Sequence, residues 1–376
     1  MATPMDAGMN DAGAGTATNG TGSPDASQGT APQQTRLSSR GFMGGPHRHG
    51  QSAYRGPQAK PKDRWVHRTR GRIAGSPTLA FDGSILIGSL DRTFSAIGPD
   101  GSLRWRYVAP DRFYSSAAVA VDGTIYIGND DGHLYAFSAR GEVRWKVSLG
   151  AAVGSSPLVG EDGTIYATAD GLYALAPTGH IRWHVPTSAP LRTSPTLHPS
   201  GLVLVGTTDG KLLAVGLDGE KRWTAGAGAS MDSSASVAPD GTIYLGNDLG
   251  HLMAFDATGK RRWRFDAGDD IRSTPAIAPD GTIVFGSDDR FVYALAPDGS
   301  LRWKTETRGR VRASAVVDAD GRIYIGSQDD HVYALASDGT VLWRRDLGED
   351  IDSSATLGDD GTLYLGSDGG AVHALR

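Results

Sequence analysis

The chain of 376 residues contains no cysteine. That excludes disulfides, thiolate metal sites, c-type haem attachment and a lipidated N-terminal cysteine in the sequence as written. There is no run of about 18 apolar residues, and no charged-then-apolar segment follows Met1, so neither a membrane-spanning helix nor a secretory leader is read from it. A large excess of one charge is also missing. The formal net charge is −5, which argues against a broad nucleic-acid-binding surface. No nucleophile motif or phosphate-cradling loop is found either.

What the chain has in abundance is glycine, 52 residues of it, much of it in Asp-Gly and similar pairs that punctuate hairpins. Tryptophan is evenly spaced. The eight residues are Trp65, Trp105, Trp145, Trp183, Trp223, Trp263, Trp303 and Trp343, with six intervals of 40 residues and one of 38. An alanine keeps the same beat from Ala96 to Ala374, and a turn glycine does so from Gly83 to Gly361. A fixed period near 40 marks an array of stacked units, each burying its apolar face against the next.

One unit, from Ser115 to Val147, shows four apolar-rich runs: Ala117–Val121, Thr124–Ile127, His133–Phe137 and Glu142–Val147. Each is short, alternates with period two, is rich in β-branched and aromatic residues, and ends at a glycine turn. This is the pattern of antiparallel strands. Asp122-Gly123 reads as a two-residue hairpin. Eight such meanders packed radially make an eight-bladed all-β propeller. The alanine of the third strand leaves room for the large ring at the end of the fourth, so all eight tryptophans are assigned to docking between blades. The last unit stops at Arg376 without a fourth strand, while Arg64-Trp65-Val66-His67 stands alone before the first complete unit. The expectation is that Trp65 belongs to the eighth blade and that the termini close the ring.

Residues 1–58 read as an extension and residues 59–376 as a single propeller domain. Met1 to Gln34 is too poor in apolar residues to offset chain entropy and is read as disordered. From Arg36 to Arg72 there are ten Lys or Arg against Asp63 alone. This basic arm is read as a solvated tether, with contact to an anionic surface as the alternative. Deleting residues 1–58 is therefore expected to change stability little.

The run Ala254-Phe255-Asp256-Ala257-Thr258-Gly259-Lys260-Arg261-Arg262-Trp263 resembles the tryptophan-docking motif of the PQQ-like repeat family. Gly128–Phe137 and Gly326–Leu335 look like the same repeat. The likeness covers Trp65 to Arg376, about five-sixths of the chain. It implies an eight-bladed propeller and a choice of functions: quinoprotein dehydrogenase, the propeller lipoprotein of outer-membrane assembly, or a sensor or adhesion module. The turn before Trp is one residue shorter than in the dehydrogenase form. The resemblance also implies that a dehydrogenase would carry inserted loops, a vicinal disulfide over the cofactor, and acidic and amide calcium ligands. Without cysteine and with near-equal loops in every blade, no cofactor is expected; pyrroloquinoline quinone and Ca²⁺ enter by resemblance only. Asp130-Asp131-Gly132, Asp288-Asp289 and Asp318-Ala319-Asp320-Gly321 are too short for a calcium loop and are read as turn residues. His133, His251 and His331 share one repeat position on different blades, which separates them. His47 and His49 are a weak metal pair.

In a repeat protein the informative residues are those that do not repeat. The position preceding each innermost strand reads Ala74, Tyr114, Gly154, Arg192, Asp232, Arg272, Arg312 and Asp352. Two residues earlier stand Arg72, Arg112, Ala152, Pro190, Ser230, Asp270, Arg310 and Asp350. Both sets should ring the mouth of the central channel. Tyr114, Arg192, Asp232, Arg272, Arg310, Arg312 and Asp352 form the candidate binding ring, either as a ligand site or as cross-blade pairs Arg192/Asp232 and Arg312/Asp352. No catalytic, cofactor or metal residue is assigned. The expected function is a non-catalytic, monomeric scaffold that holds a protein or an extended polymer at the mouth, with periplasmic, envelope or secreted placement implied by the resemblance. The alternatives are a quinone-dependent oxidoreductase, or a remnant of one, and a carbohydrate-binding module.

Overall fold

The computed structural model describes residues 39–376, and the reading of the first residues as disordered lies outside them. Eight four-stranded antiparallel sheets form the blades. Blade two is typical, with strands Ala118–Val119, Ile125–Gly128, His133–Phe137 and Val143–Ser148 from the channel outwards. The innermost strand is only two residues long because it lines a narrow axis, whereas the second and third strands are buried on both faces. Gly123 (φ +80°) turns the first hairpin. Its bonds, Gly123 N–H to Ala120 O and Ala120 N–H to Thr124 O, close a three-residue loop with a left-handed glycine. The Asp-Gly pair therefore sits in this longer turn rather than in the expected two-residue one.

The alanine beat has a direct cause. Ala136 stands between Tyr126 on the second strand and Trp145 on the fourth. Its small side chain lets the two rings approach over it, with centroids 5.6 Å apart. The same trio recurs as Tyr244, Ala254 and Trp263 at 5.7 Å, and as Tyr364, Ala374 and Trp65 at 5.8 Å.

Blades are joined by two circular sets of contacts. At the periphery each indole reaches the next blade. Trp105 Nε1–H donates to Ala139 O at 2.9 Å, and its ring covers Gly141, where a Cβ would lie 2.5 Å from the indole. This glycine must be glycine both for that contact and for its φ of +83°. Trp65, Trp145, Trp183, Trp223, Trp263 and Trp303 make the equivalent bonds at 2.8–2.9 Å. At the axis, the backbone N–H of one hydroxyl residue donates to the side chain of its counterpart in the next blade. The bonds run Ser76 to Ser116, Ser156, Ser194, Ser234, Thr274, Ser314, Ser354 and back to Ser76, at 2.8–3.2 Å.

Asp63–Arg68 pairs antiparallel with Ala371–Leu375, placing Trp65 opposite Ala374 in the eighth blade. Closure is thus as expected, but the boundary of the extension is not. Residues 39–58 are neither a solvated tether nor applied to an outside surface. They cross the channel at the hairpin-turn end of the innermost strands and bond to them in rotation. Arg40 exchanges both main-chain bonds with Val119 at 2.7 and 2.9 Å. Pro46, His47, His49 and Gly50 carbonyls then accept from the N–H groups of Leu197, Val237, Ile277 and Val317 at 2.8–3.0 Å. Met43 packs among Ala276, Ala313, Ala315 and Val317.

The segment after this crossing completes the eighth blade. Trp343 Nε1–H donates to Pro57 O at 3.2 Å, and Trp343 is the most buried of the eight tryptophans at 6 % exposed. A chain starting at residue 59 loses that acceptor and the whole crossing. Because each hydrogen bond contributes about 1 kcal/mol net, it should melt about 5–10 °C below a chain starting at residue 39. Differential scanning calorimetry of the two proteins measures this; equal melting temperatures would restore residue 59 as the domain boundary.

Candidate functional site

The mouth lies at the opposite end of the innermost strands from the crossing arm. Its loops are pinned by the turn between the second and third strands, whose N–H reaches back to the loop carbonyl: Leu90 to Arg72, Asp130 to Arg112, Asp248 to Ser230, Asp288 to Asp270, Gln328 to Arg310 and Asp368 to Asp350, all at 2.8–3.0 Å. This brings a third set of non-repeating residues to the mouth, which the sequence reading did not single out. Four of these six are Asp, and Asp130 and Asp288 were read from the sequence as turn residues rather than as part of the rim.

The candidate arginines divide into struts and free groups. Arg312 is three-quarters buried and grips Asp288 through bonds of 2.8, 3.0 and 3.2 Å. Asp288 is 5 % exposed, so this pair is internal, and the expected Arg312/Asp352 pair is not formed. Asp352 instead takes Gln328 Nε2–H at 2.9 Å and pairs with Arg72. Arg272 spans Asp270 at 2.9 Å and Asp232 at 3.4 Å. The Arg192/Asp232 pair is present, but long, at 3.5 Å. Arg192 and Arg310 are 65 % and 55 % exposed, and Arg310 comes no nearer than 3.9 Å to Asp288. Tyr114 is 40 % exposed on blade two.

Removing Arg312 would leave the buried Asp288 charge without its main partner, which is strongly destabilising. Among the candidate arginines, only Arg192 and Arg310 are free enough of tight pairs for an Arg→Ala change to leave folding intact.

Carboxylates crowd the mouth between blades eight and one. Burial, followed by the neighbouring Asp352 charge, pushes Asp368 up to about 6, against the Arg72 guanidinium that bonds it at 2.8 Å. Asp350 is raised by burial and by Asp330 and Asp352. Asp248 is raised by burial and Asp232, and Asp130 by burial and Asp111. Burial first, and like charge second, thus raise these four carboxylates of the rim.

The other polar candidates are engaged elsewhere. Asp131 accepts the His133 amide and the Tyr135 hydroxyl, and Asp318 accepts the amides of Asp320 and Arg322, as turn residues do. Among the described residues no cluster of three or more His, Asp or Glu is arranged to hold a metal. His47 and His49 bond carbonyls of Leu197 and Val237 at 2.7 and 2.5 Å. The vicinal disulfide that the family resemblance attaches to a quinone site cannot form in a chain without cysteine. The quinone would also need acidic calcium ligands, where Asp288 and Asp352 are committed to Arg312 and Arg72. The residues present do not fit that group as the dehydrogenases hold it.

Because Asp368 titrates higher in the fold than the ordinary carboxylate value of about 3.9, the folded state binds the extra proton between those values. The penalty for its charge is absent at low pH and appears as pH rises through about 6. Arg72→Gln should therefore cost more stability at pH 8 than at pH 4.5, by on the order of 1 kcal/mol. Thermal melts of both proteins at the two pH values check this; an equal loss at both would contradict it.

The family described as outer membrane protein assembly factor BamB matches residues 90–242 and 248–376. Among curated proteins, no sequence matches. Among solved structures, BamB from Moraxella catarrhalis is similar over 84 % of this chain and 99 % of that one, at 21 % identity and a TM-score of 0.70. The computationally designed Ika8 protein is similar over 82 % and 97 %, at 12 % identity and 0.71. A europium-containing methanol dehydrogenase is similar over 87 % and 90 %, at 14 % identity and 0.72. At these identities the structures speak for the fold alone. Tryptophan docking in every blade, closure by the first strand and the family match over both halves lead to one assignment: the chain belongs to the BamB family of PQQ-like repeat propellers.

Proposed function

We propose that this protein is a non-catalytic propeller that holds a protein partner at the channel mouth, in the bacterial envelope. The observation that carries the reading is the contrast between the uniform blades and the mouth. There, Tyr114, Arg192 and Arg310 are exposed and not committed to tight pairs, while the residues beside them are fixed by ion pairs. Exposed aromatic and guanidinium groups on a rigid frame are what binding hot spots use. A partner would meet arginine donors on blades four and seven and the carboxylates of Asp350 and Asp368, so it would itself be of mixed polarity. The arm fills the far end of the channel, which favours a partner seated on the mouth over a polymer threaded through it. Envelope placement is drawn from the family, and no helix among the described residues is long and apolar enough to cross a membrane.

A photo-crosslinking residue placed at Tyr114, Arg192 or Arg310 in producing cells should give one discrete adduct, and the same residue at the exposed outer positions Arg140 and Arg261 should give none. Arg192→Glu with Arg310→Glu should abolish the adduct while shifting stability by no more than about 0.5 kcal/mol. Adducts from the outer positions alone would move the binding surface off the mouth. A saturable spectral change with pyrroloquinoline quinone and Ca²⁺ would instead favour the oxidoreductase reading.

A further inference from the structure

At the end opposite the mouth, each innermost strand turns one main-chain edge toward the axis. The residues at this level are Leu79, Val119, Val159, Leu197, Val237, Ile277, Val317 and Leu357. The arm answers these edges almost entirely through hydrogen bonds. Beyond the carbonyls already described, Ser39 Oγ–H donates to Val159 O at 2.8 Å, Gln51 Nε2–H to Ile277 O at 2.6 Å, and Ser52 N–H to Val317 O at 2.8 Å. Because carbonyls only accept, His47 carries its proton on Nδ1 and His49 on Nε2 where they meet Leu197 O and Val237 O.

One charged side chain of the arm is fully buried. Arg48 is 1 % exposed and donates to Pro195 O at 3.0 Å, Phe42 O at 3.1 Å and Ser156 O at 3.3 Å. Among the described residues it has no carboxylate partner, and burial lowers its pKa to about 9.

This is the bonding pattern of a bound peptide rather than of a core segment. Main-chain bonds to successive strand edges supply most of the contact, as when an extended peptide is added to a sheet. Between residues 39 and 58 Met43 is the one buried large apolar side chain, with Phe42 and Tyr54 only partly buried against the core. Little hydrophobic stabilisation therefore opposes its departure, and the unneutralised Arg48 favours it.

We propose that the hairpin-turn end of the channel is a peptide-binding ring whose resident ligand is the chain's own arm. The partner it fits is an extended, glycine-flanked segment with one arginine, supplied in trans when the arm leaves. The ring is separate from the mouth, and the proposal stands whether or not the mouth binds a partner.

Gly50 gives a clean way to free the ring. It has φ +66°, and a Cβ there would lie 2.7–2.8 Å from Met43 Cε, Ala276 Cβ and Ala315 O. Gly50→Val in the full chain should expel the arm and leave every propeller residue unchanged. A fluorescent peptide of residues 39–58 should bind this variant saturably and one to one. It should bind the natural protein at least about tenfold more weakly, because the arm competes. The same peptide with Arg48→Ala should bind the variant at least about tenfold more weakly, as expected for losing charged hydrogen bonds. Amide exchange at Leu197, Val237, Ile277 and Val317 should be fast in the variant and slowed by the peptide.

A variant with those amides open that binds no peptide would overturn the proposal, as would equal binding to variant and natural protein. In the natural protein the same four amides should open together, at lower free energy than the strand ladders. If they exchange only with global unfolding, whether or not the variant folds, the arm is a fixed part of the fold and the proposal fails.

Discussion

The indole of one blade resting on the turn of the next is the contact on which the architecture depends. It combines burial of a large ring with a hydrogen bond that the ring alone can donate, and it makes two demands on its neighbours. The third strand of the same blade must be small, which accounts for the alanines. The turn of the following blade must be glycine, because a Cβ at Gly101, Gly141 or Gly259 would enter the ring. A unit of about 40 residues therefore cannot satisfy its own tryptophan and must be followed by another. Only a closed ring satisfies all eight, and the chain closes it twice: once by pairing Asp63–Arg68 with Ala371–Leu375, and once by bringing Pro57 to Trp343.

Most of this was legible in the residues because periodicity survives into sequence. The tryptophan beat, the alanines and the orphan Trp65 together specify eight blades and their closure. The seven glycines beneath the indoles were as regular but were outshone by the hairpin set. The ring of hydroxyls from Ser76 to Ser354 was visible only as a landmark, since nothing in a serine's position says which blade it will bond. The arm could not be read as a channel occupant. Its composition is that of a solvated segment, poor in apolar residues and rich in Arg and Gly, and such a segment becomes ordered here through main-chain bonds to strand edges that no side-chain pattern reveals. Similarly, the Asp-Gly pairs announced a hairpin but not its loop length.

The mouth shows why a site is harder to read than a fold. Position in the repeat brings Arg192, Arg272, Arg310 and Arg312 to the same rim, yet their roles differ through residues from a separate turn. Asp288 turns Arg312 into a strut, and Asp352 answers to Arg72 across the closure rather than to Arg312. What remains free, Tyr114, Arg192 and Arg310, is a smaller and more dispersed set. The two ends of the channel thus differ in physical character: an ionic, partly open rim at one end, and a main-chain ring filled by the arm at the other.

The central claim is that all eight tryptophans are docking residues, with Trp65 and Trp343 tied in by the head of the chain. The indole N–H resonances of the natural protein test it directly, because the chain has eight tryptophans and no more. Eight dispersed indole signals, all exchanging slowly with solvent, are the predicted result. Fast exchange at Trp65 or Trp343 while the other six stay protected would show that the ring is not closed by residues 57–68.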